Sequence, residues 1–148
     1  MGQWRDAAMI DTANPHACGK HVLRLDGKLV LAEFVGELSL AEFEQIRDFI
    51  QQAIVQQGPV YLLANVRRAG VIPPQVRGLL GPWIKKTSIL GVSNIDANVQ
   101  SRSLATLLAN GMRILYGMSS PVGFHADEAA ARDWVAGLER KRRASAGS

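Results

Sequence analysis

Cysteine is almost absent from this 148-residue chain: Cys18 stands alone. No internal disulfide can form, and a reducing compartment fits. The thiol lies in a polar segment without patterned neighbours, so nothing marks it as a nucleophile. Long apolar runs are missing too. Crossing a bilayer as a helix takes roughly 20 apolar residues, and no stretch approaches that, so no membrane span is expected. Arg5 and Asp6 come early and no apolar segment follows them, which excludes a secretory signal and makes a cytoplasmic protein the expectation.

Charge of neither sign dominates. The formal net charge is +4, and the run Glu139, Arg140, Lys141, Arg142, Arg143 holds most of it. Such a run can touch nucleic acid or anionic lipid. Without a basic stripe elsewhere or interleaved aromatics it reads as a solvated helix end, where cations suit the helix dipole. No nucleic-acid partner is expected.

The motifs of catalysis and cofactor binding are also missing. There is no HExxH, no paired-cysteine motif and no Asp-rich calcium loop, and His16, His21 and His125 fall in different elements, so no metal is expected. There is no GxGxxG or GxxxxGK[ST] loop to cradle phosphate and no GxSxG elbow, so neither a cofactor nor a catalytic residue is assigned. Glu33, Glu37, Glu42, Glu44, Asp48 and Asp96 read as helix caps and surface groups. The expectation is a protein that is not an enzyme; were it one, His125 and Asp96 would be the acid–base candidates.

What is present is a strong alternation of strand and helix signals, with 47% hydrophobic residues to build a core. Residues 1–20 mix Gly, Asp, Asn, Pro and His without a period and read as an irregular leader. Apolar runs 21–25 and 29–35 flank Asp26-Gly27, a hairpin signal that predicts a type I′ turn. Ser39 with Glu42 three residues on forms a capping box, and Leu38 with Phe43 a hydrophobic staple. Phe43, Ile46, Ile50 and Ile54 then recur at helical spacing until Gly58-Pro59 stops them. Run 60–66 is nearly all apolar, as in a strand covered on both faces.

Residues 67–70 read as a loop. Pro73-Pro74 opens a second helix, which Gly81-Pro82 should kink or split. Run 89–92 is a short strand, and Asp96 caps a helix to about Tyr116. A last strand at 121–125 precedes a helix starting near Asp127-Glu128. The order β-β-α-β-α-β-α-β-α defines an α/β domain over 21–140, its sheet parallel after the opening hairpin. Residues 141–148 read as a basic, flexible tail.

In open α/β sheets, sites form beyond the carboxyl ends of parallel strands. Those ends carry Asn65, Arg67 and Arg68, then Ser93, Asn94 and Asp96, and Arg77 follows on the next helix. Three arginines near one rim can hold an anion or an acidic partner surface; solvated loops and helix caps are the plainer reading. Trp83, beside the Gly81-Pro82 break with Leu80 and Ile84, is the candidate for admitting an apolar ligand, against the plainer reading that it is core.

The pattern resembles the SpoIIAA-like (STAS/SEC14-type) family. The likeness is carried by Leu29-Val30-Leu31 leading to Gly36; by Leu38-Ser39 and Glu42; by Gly58-Pro59-Val60 before Tyr61-Leu62-Leu63; by Ile89 to Val92; and by Phe124, Glu128-Ala129-Ala130 and Asp133-Trp134-Val135. It covers about residues 21–138. It implies a STAS-like fold: a mixed, mainly parallel sheet of about five strands with helices packed on it. It also implies a non-catalytic regulatory or interaction domain with a protein partner; the alternative is a SEC14-like domain for a small apolar ligand or lipid. Self-association through the hairpin edge, giving a homodimer, is a further reading.

The switch-bearing members of this family are anti-sigma-factor antagonists. They carry a phosphorylatable Ser or Thr at the start of the second helix, after an Asp-bearing strand. Here the strand carries Asn65 instead, and 66–80 contains no Ser or Thr. A phosphate switch at that place is chemically impossible in this chain.

Overall fold

The computed structural model describes residues 9–70, 72–96 and 120–146. The elements are β1 (His16–Cys18), β2 (His21–Asp26), β3 (Leu29–Gly36), α1 (Leu40–Gln57), β4 (Val60–Ala69), α2 (Pro74–Lys86), β5 (Ile89–Ile95), β6 (Val122–His125) and α3 (Glu128–Ala146). The six strands form one sheet in sequence order. The pairs β1·β2 and β2·β3 are antiparallel; β3·β4, β4·β5 and β5·β6 are parallel. This is the mixed, mainly parallel α/β architecture that the alternation predicts. The helix expected from Asp96 to Tyr116 lies outside the described residues.

Strand alternation sorts the core onto two faces. Val30, Ala32, Val60 and Leu62 pack with Phe43, Ile46 and Ile50 of α1 and with Val76 and Ile84 of α2. Leu31, Tyr61 and Leu63, their immediate neighbours in sequence, pack with Ala131 and Val135 of α3 on the opposite face. Each large aliphatic side chain so buried contributes about 1.5–3 kcal/mol. That is why β4, between two layers, has no charged or amide side chain before Asn65.

Local chemistry sets the boundaries. Ser39 caps α1: its side chain accepts from the Glu42 N–H, and the Glu42 side chain returns to the Ser39 backbone. At the other end of α1 the Gly58 N–H donates to the Ile54 carbonyl at 2.7 Å.

Several expectations are corrected. The sheet has six strands because His16–Cys18, inside the expected irregular leader, pairs with β2, Cys18 opposite His21. The hairpin pairs Asp26 with Leu29, so its central residues are Gly27 and Lys28. Only Gly27 has positive φ, 57°. That is the requirement of a type II′ turn, not type I′. Residues 67–69 are strand, not loop, because Arg68 and Ala69 pair with Val35 and Gly36 after a register shift. α2 is not split at Gly81-Pro82: it is one helix with Pro82 inside it. α3 continues to Ala146, where a flexible tail was expected from 141; Arg142 and Arg143 reach back to Glu139 and hold the helix together.

Candidate functional site

The parallel strands end near Gly36, Ala69, Ile95 and His125; Asn65, Arg67, Arg68, Ser93, Asn94 and Asp96 lie at or near those ends, whereas Trp83 lies in the last turn of α2. Asn65 faces Glu33 on one side and Ile95 on the other. Its Oδ1 accepts the Arg67 N–H at 3.1 Å. Arg68 places Nη1 3.8 Å from Glu33 Oε1 with both side chains well exposed, an ion pair worth at most about 1 kcal/mol. Arg67 and Arg77 are exposed. Asn65, Glu33, Arg24, Leu63, Ile95 and Glu128 border a cleft of about 130 Å³, below the roughly 300 Å³ of small-molecule pockets.

Ser93 and Asn94 are consecutive on β5 and so point to opposite faces. Ser93 is fully buried on the α3 side, its Oγ 2.6 Å from His125 Nδ1. The His125 ring leans on Trp134 at 5.1 Å. Burial holds His125 below the ordinary histidine value, against the pull of Asp127. A serine hydrogen-bonded to a histidine has the makings of a nucleophile and base. Ser93 has no exposed surface, so in this structure the pair joins β5 to β6 rather than meeting a substrate. Asp96 continues the same seam, its N–H donating to the His125 carbonyl at 2.9 Å.

On the other face, Asn94 stands opposite Ala64 and Phe124, and its Nδ2 is buried without a partner. Trp83 meets Phe43 edge-on at 5.8 Å and packs against the core under α1 and α2; its Nε1 is also buried and unpartnered. The sheet therefore separates Asn65 and Ser93 from Asn94 and Trp83. Of the three arginines, Arg68 engages Glu33 on the α3 side, while Arg77 rides on α2.

The start of α2 is bare of side-chain chemistry. Pro73 is its N-cap and makes no side-chain cap bond; its carbonyl accepts the Val76 and Arg77 N–H groups, each at 3.0 Å.

The pairings that escaped the sequence reading include Ser93 with His125, His21 with Glu42, and Tyr61 with Glu139. Each joins residues far apart in the chain, and no local spacing announces them.

The fold is SpoIIAA-like. An uncharacterised protein of the DUF3478 family with a SpoIIAA-like fold, from Shewanella loihica PV-4, superimposes with a TM-score of 0.57 at 17% identity, over 76% of this chain and 89% of that one. The anti-sigma factor antagonist SpoIIAA in its unphosphorylated form superimposes with a TM-score of 0.51 at 23% identity, over 78% of this chain and 96% of that one. No protein-family model matches the sequence, and no curated protein matches it. No helix among the described residues is long and apolar enough to cross a membrane.

Proposed function

We propose that this chain is a non-catalytic interaction module that engages a protein partner through the end of β4 and the outer surface of α2, without phosphorylation control at that surface. One observation carries the reading. The stretch 66–80 contains no hydroxyl side chain, yet it presents Arg67, Arg68 and Arg77 to solvent together with Leu79, an apolar side chain 47% exposed on α2. Exposed cations at the end of β4 and on α2, with an exposed leucine on the same helix, suit an acidic partner surface with an apolar spot. The likeness to a protein described as an anti-sigma factor antagonist supports a role in partner binding. With no group to phosphorylate there, the interaction is governed by partner concentration.

Affinity capture on the tagged full chain, followed by titration with the purified partner, tests this. The expected result is a partner retained by the wild type and lost by Arg67→Glu/Arg77→Glu, with Leu79→Ser weakening binding about tenfold. Retention of that partner by both variants at unchanged affinity would overturn the reading.

A further inference from the structure

The last turns of α3 leave a groove against the amino ends of β5 and β6, at the opposite end of the sheet from Arg67 and Arg68. Leu90, Pro121 and Leu138, each half-buried, form its apolar floor, and Lys141 and Arg142 its rim. The groove holds about 290 Å³, at the lower edge of the range for small-molecule sites.

Charge around it is one-sided. Among the described residues, Lys28, Arg140, Lys141, Arg142 and Arg143 share this end of α3 with one carboxylate, Glu139. That carboxylate is already engaged by Tyr61 Oη at 2.7 Å, Lys28 Nζ at 2.9 Å, Arg142 Nε and Nη2 at 2.9 Å each, and Arg143 Nε at 3.3 Å, leaving Lys141 as the free cation of the rim among the described residues. The carbonyl end of α3 offsets only about half a charge. Lys141 is exposed, and none of the ion pairs among the described residues involves it.

A neutral hydrocarbon would use the floor and not the rim; an inorganic anion would use the rim and not the floor. We infer that the groove binds a small organic acid with an apolar body, its carboxylate at Lys141 and Arg142 and its hydrocarbon on Leu90, Pro121 and Leu138. The inference is independent of the partner surface on α2, which shares none of these residues.

Methyl-resolved NMR of the full chain tests it with three probes: octanoate, 1-octanol and inorganic phosphate. Octanoate is expected to shift the Leu90 and Leu138 methyls saturably, with octanol and phosphate at least about tenfold weaker. Lys141→Glu and Leu90→Ser should each weaken octanoate at least about fivefold with unchanged circular dichroism. Lys141→Gln, which removes the charge without reversing it and leaves a polar side chain one atom shorter, should give an intermediate loss. Octanol binding as tightly as octanoate removes the role of the cations. Phosphate binding as tightly leaves an adventitious ion only. Octanoate shifts that miss Leu90 and Leu138, or that survive Lys141→Glu undiminished, also overturn the assignment.

Discussion

His21 Nε2 lies 3.2 Å from Glu42 Oε1, joining the first long strand of the hairpin to the first turn of α1. His21 is 1% exposed. Its Nδ1 accepts the Val35 N–H at 3.0 Å, so in the neutral ring the proton sits on Nε2 and is donated to Glu42. The same Glu42 oxygen accepts the Ser39 N–H at 3.0 Å, while Ser39 Oγ accepts the Glu42 N–H at 3.1 Å. The capping box is thereby wired to two strands, and the start of α1 is held in place on the sheet.

Removing Glu42 tests that wiring. Glu42→Ala should cost about 1–2 kcal/mol, read as a lower urea midpoint with an unchanged slope. The Ser39 backbone N–H is the main cause that holds the Glu42 carboxyl below its ordinary value, helped by the Ser39 side chain and by His21. A depressed carboxyl stabilises the fold above the ordinary glutamate pKa of 4.5 and ceases to as pH falls through the lowered value, because the unfolded chain takes the proton first. The stability of Glu42→Ala should therefore fall less than that of the wild type between about pH 5 and 3. Parallel acid limbs would show that the contact is not made in solution.

Gly19 presses on the same carboxylate. Its φ is +63°, and a Cβ there would come within 2.1 Å of Glu42 Oε2. Gly19→Ala should destabilise by about 1–3 kcal/mol, part from the left-handed backbone and part from the displaced glutamate. Only the steric part depends on Glu42. In a Glu42→Ala background the cost should shrink to the backbone part, about 1 kcal/mol. Simple additivity of the two substitutions would refute the contact.

These contacts mark how far the sequence could be read. The hairpin, the Ser39–Glu42 box and the doubly buried Val60 to Ala64 were legible because each depends on neighbours a few residues away. β1 was not, because three residues become a strand only by pairing Cys18 with His21 across Gly19 and Lys20. Residues 67–69 looked like a loop because their strand character comes from Val35 and Gly36 on β3. The candidate rim was legible as a set of strand ends, but not the faces that divide it. Ser93 and Asn94 separate only once the register to Leu63 and Ala64 is known. The Tyr61–Glu139 bond spans 78 residues, and no periodicity reaches that far.

That bond anchors α3. Burial, then the Glu139 carboxylate, pushes the Tyr61 phenol up to about 12. A raised phenol stabilises the fold fully below the ordinary tyrosine value of 10.0 and ceases to as pH rises toward about 12. Tyr61→Phe should cost about 1–2 kcal/mol at neutral pH. Its alkaline limb should lose the part of the wild-type decline between those two values. Glu139→Gln should cost at least as much, since Lys28, Arg142 and Arg143 lose their shared anion as well. Urea melts across pH measure all three chains, and a Tyr61→Phe curve that parallels the wild type would mean the phenol is not bonded.

Ser93 and His125 separate a structural role from a chemical one. Ser93→Ala deletes a single oxygen, leaves no sizeable cavity and strands His125 Nδ1, so it should cost about 1–2 kcal/mol. Burial depresses His125 below the ordinary histidine value of 6.5. The unfolded chain thus binds the proton first, and this contribution is present above 6.5 and declines as pH falls below it. His125→Gln should flatten the stability curve between about pH 7 and 5. Partner affinity, measured under conditions where the variants remain folded, should be unchanged in both, because neither side chain belongs to the surface of Arg67, Arg77 and Leu79. A nucleophile would behave in the opposite way, with Ser93→Ala abolishing function at wild-type stability. That outcome would move Ser93 and His125 from the seam between two strands to the centre of an active site.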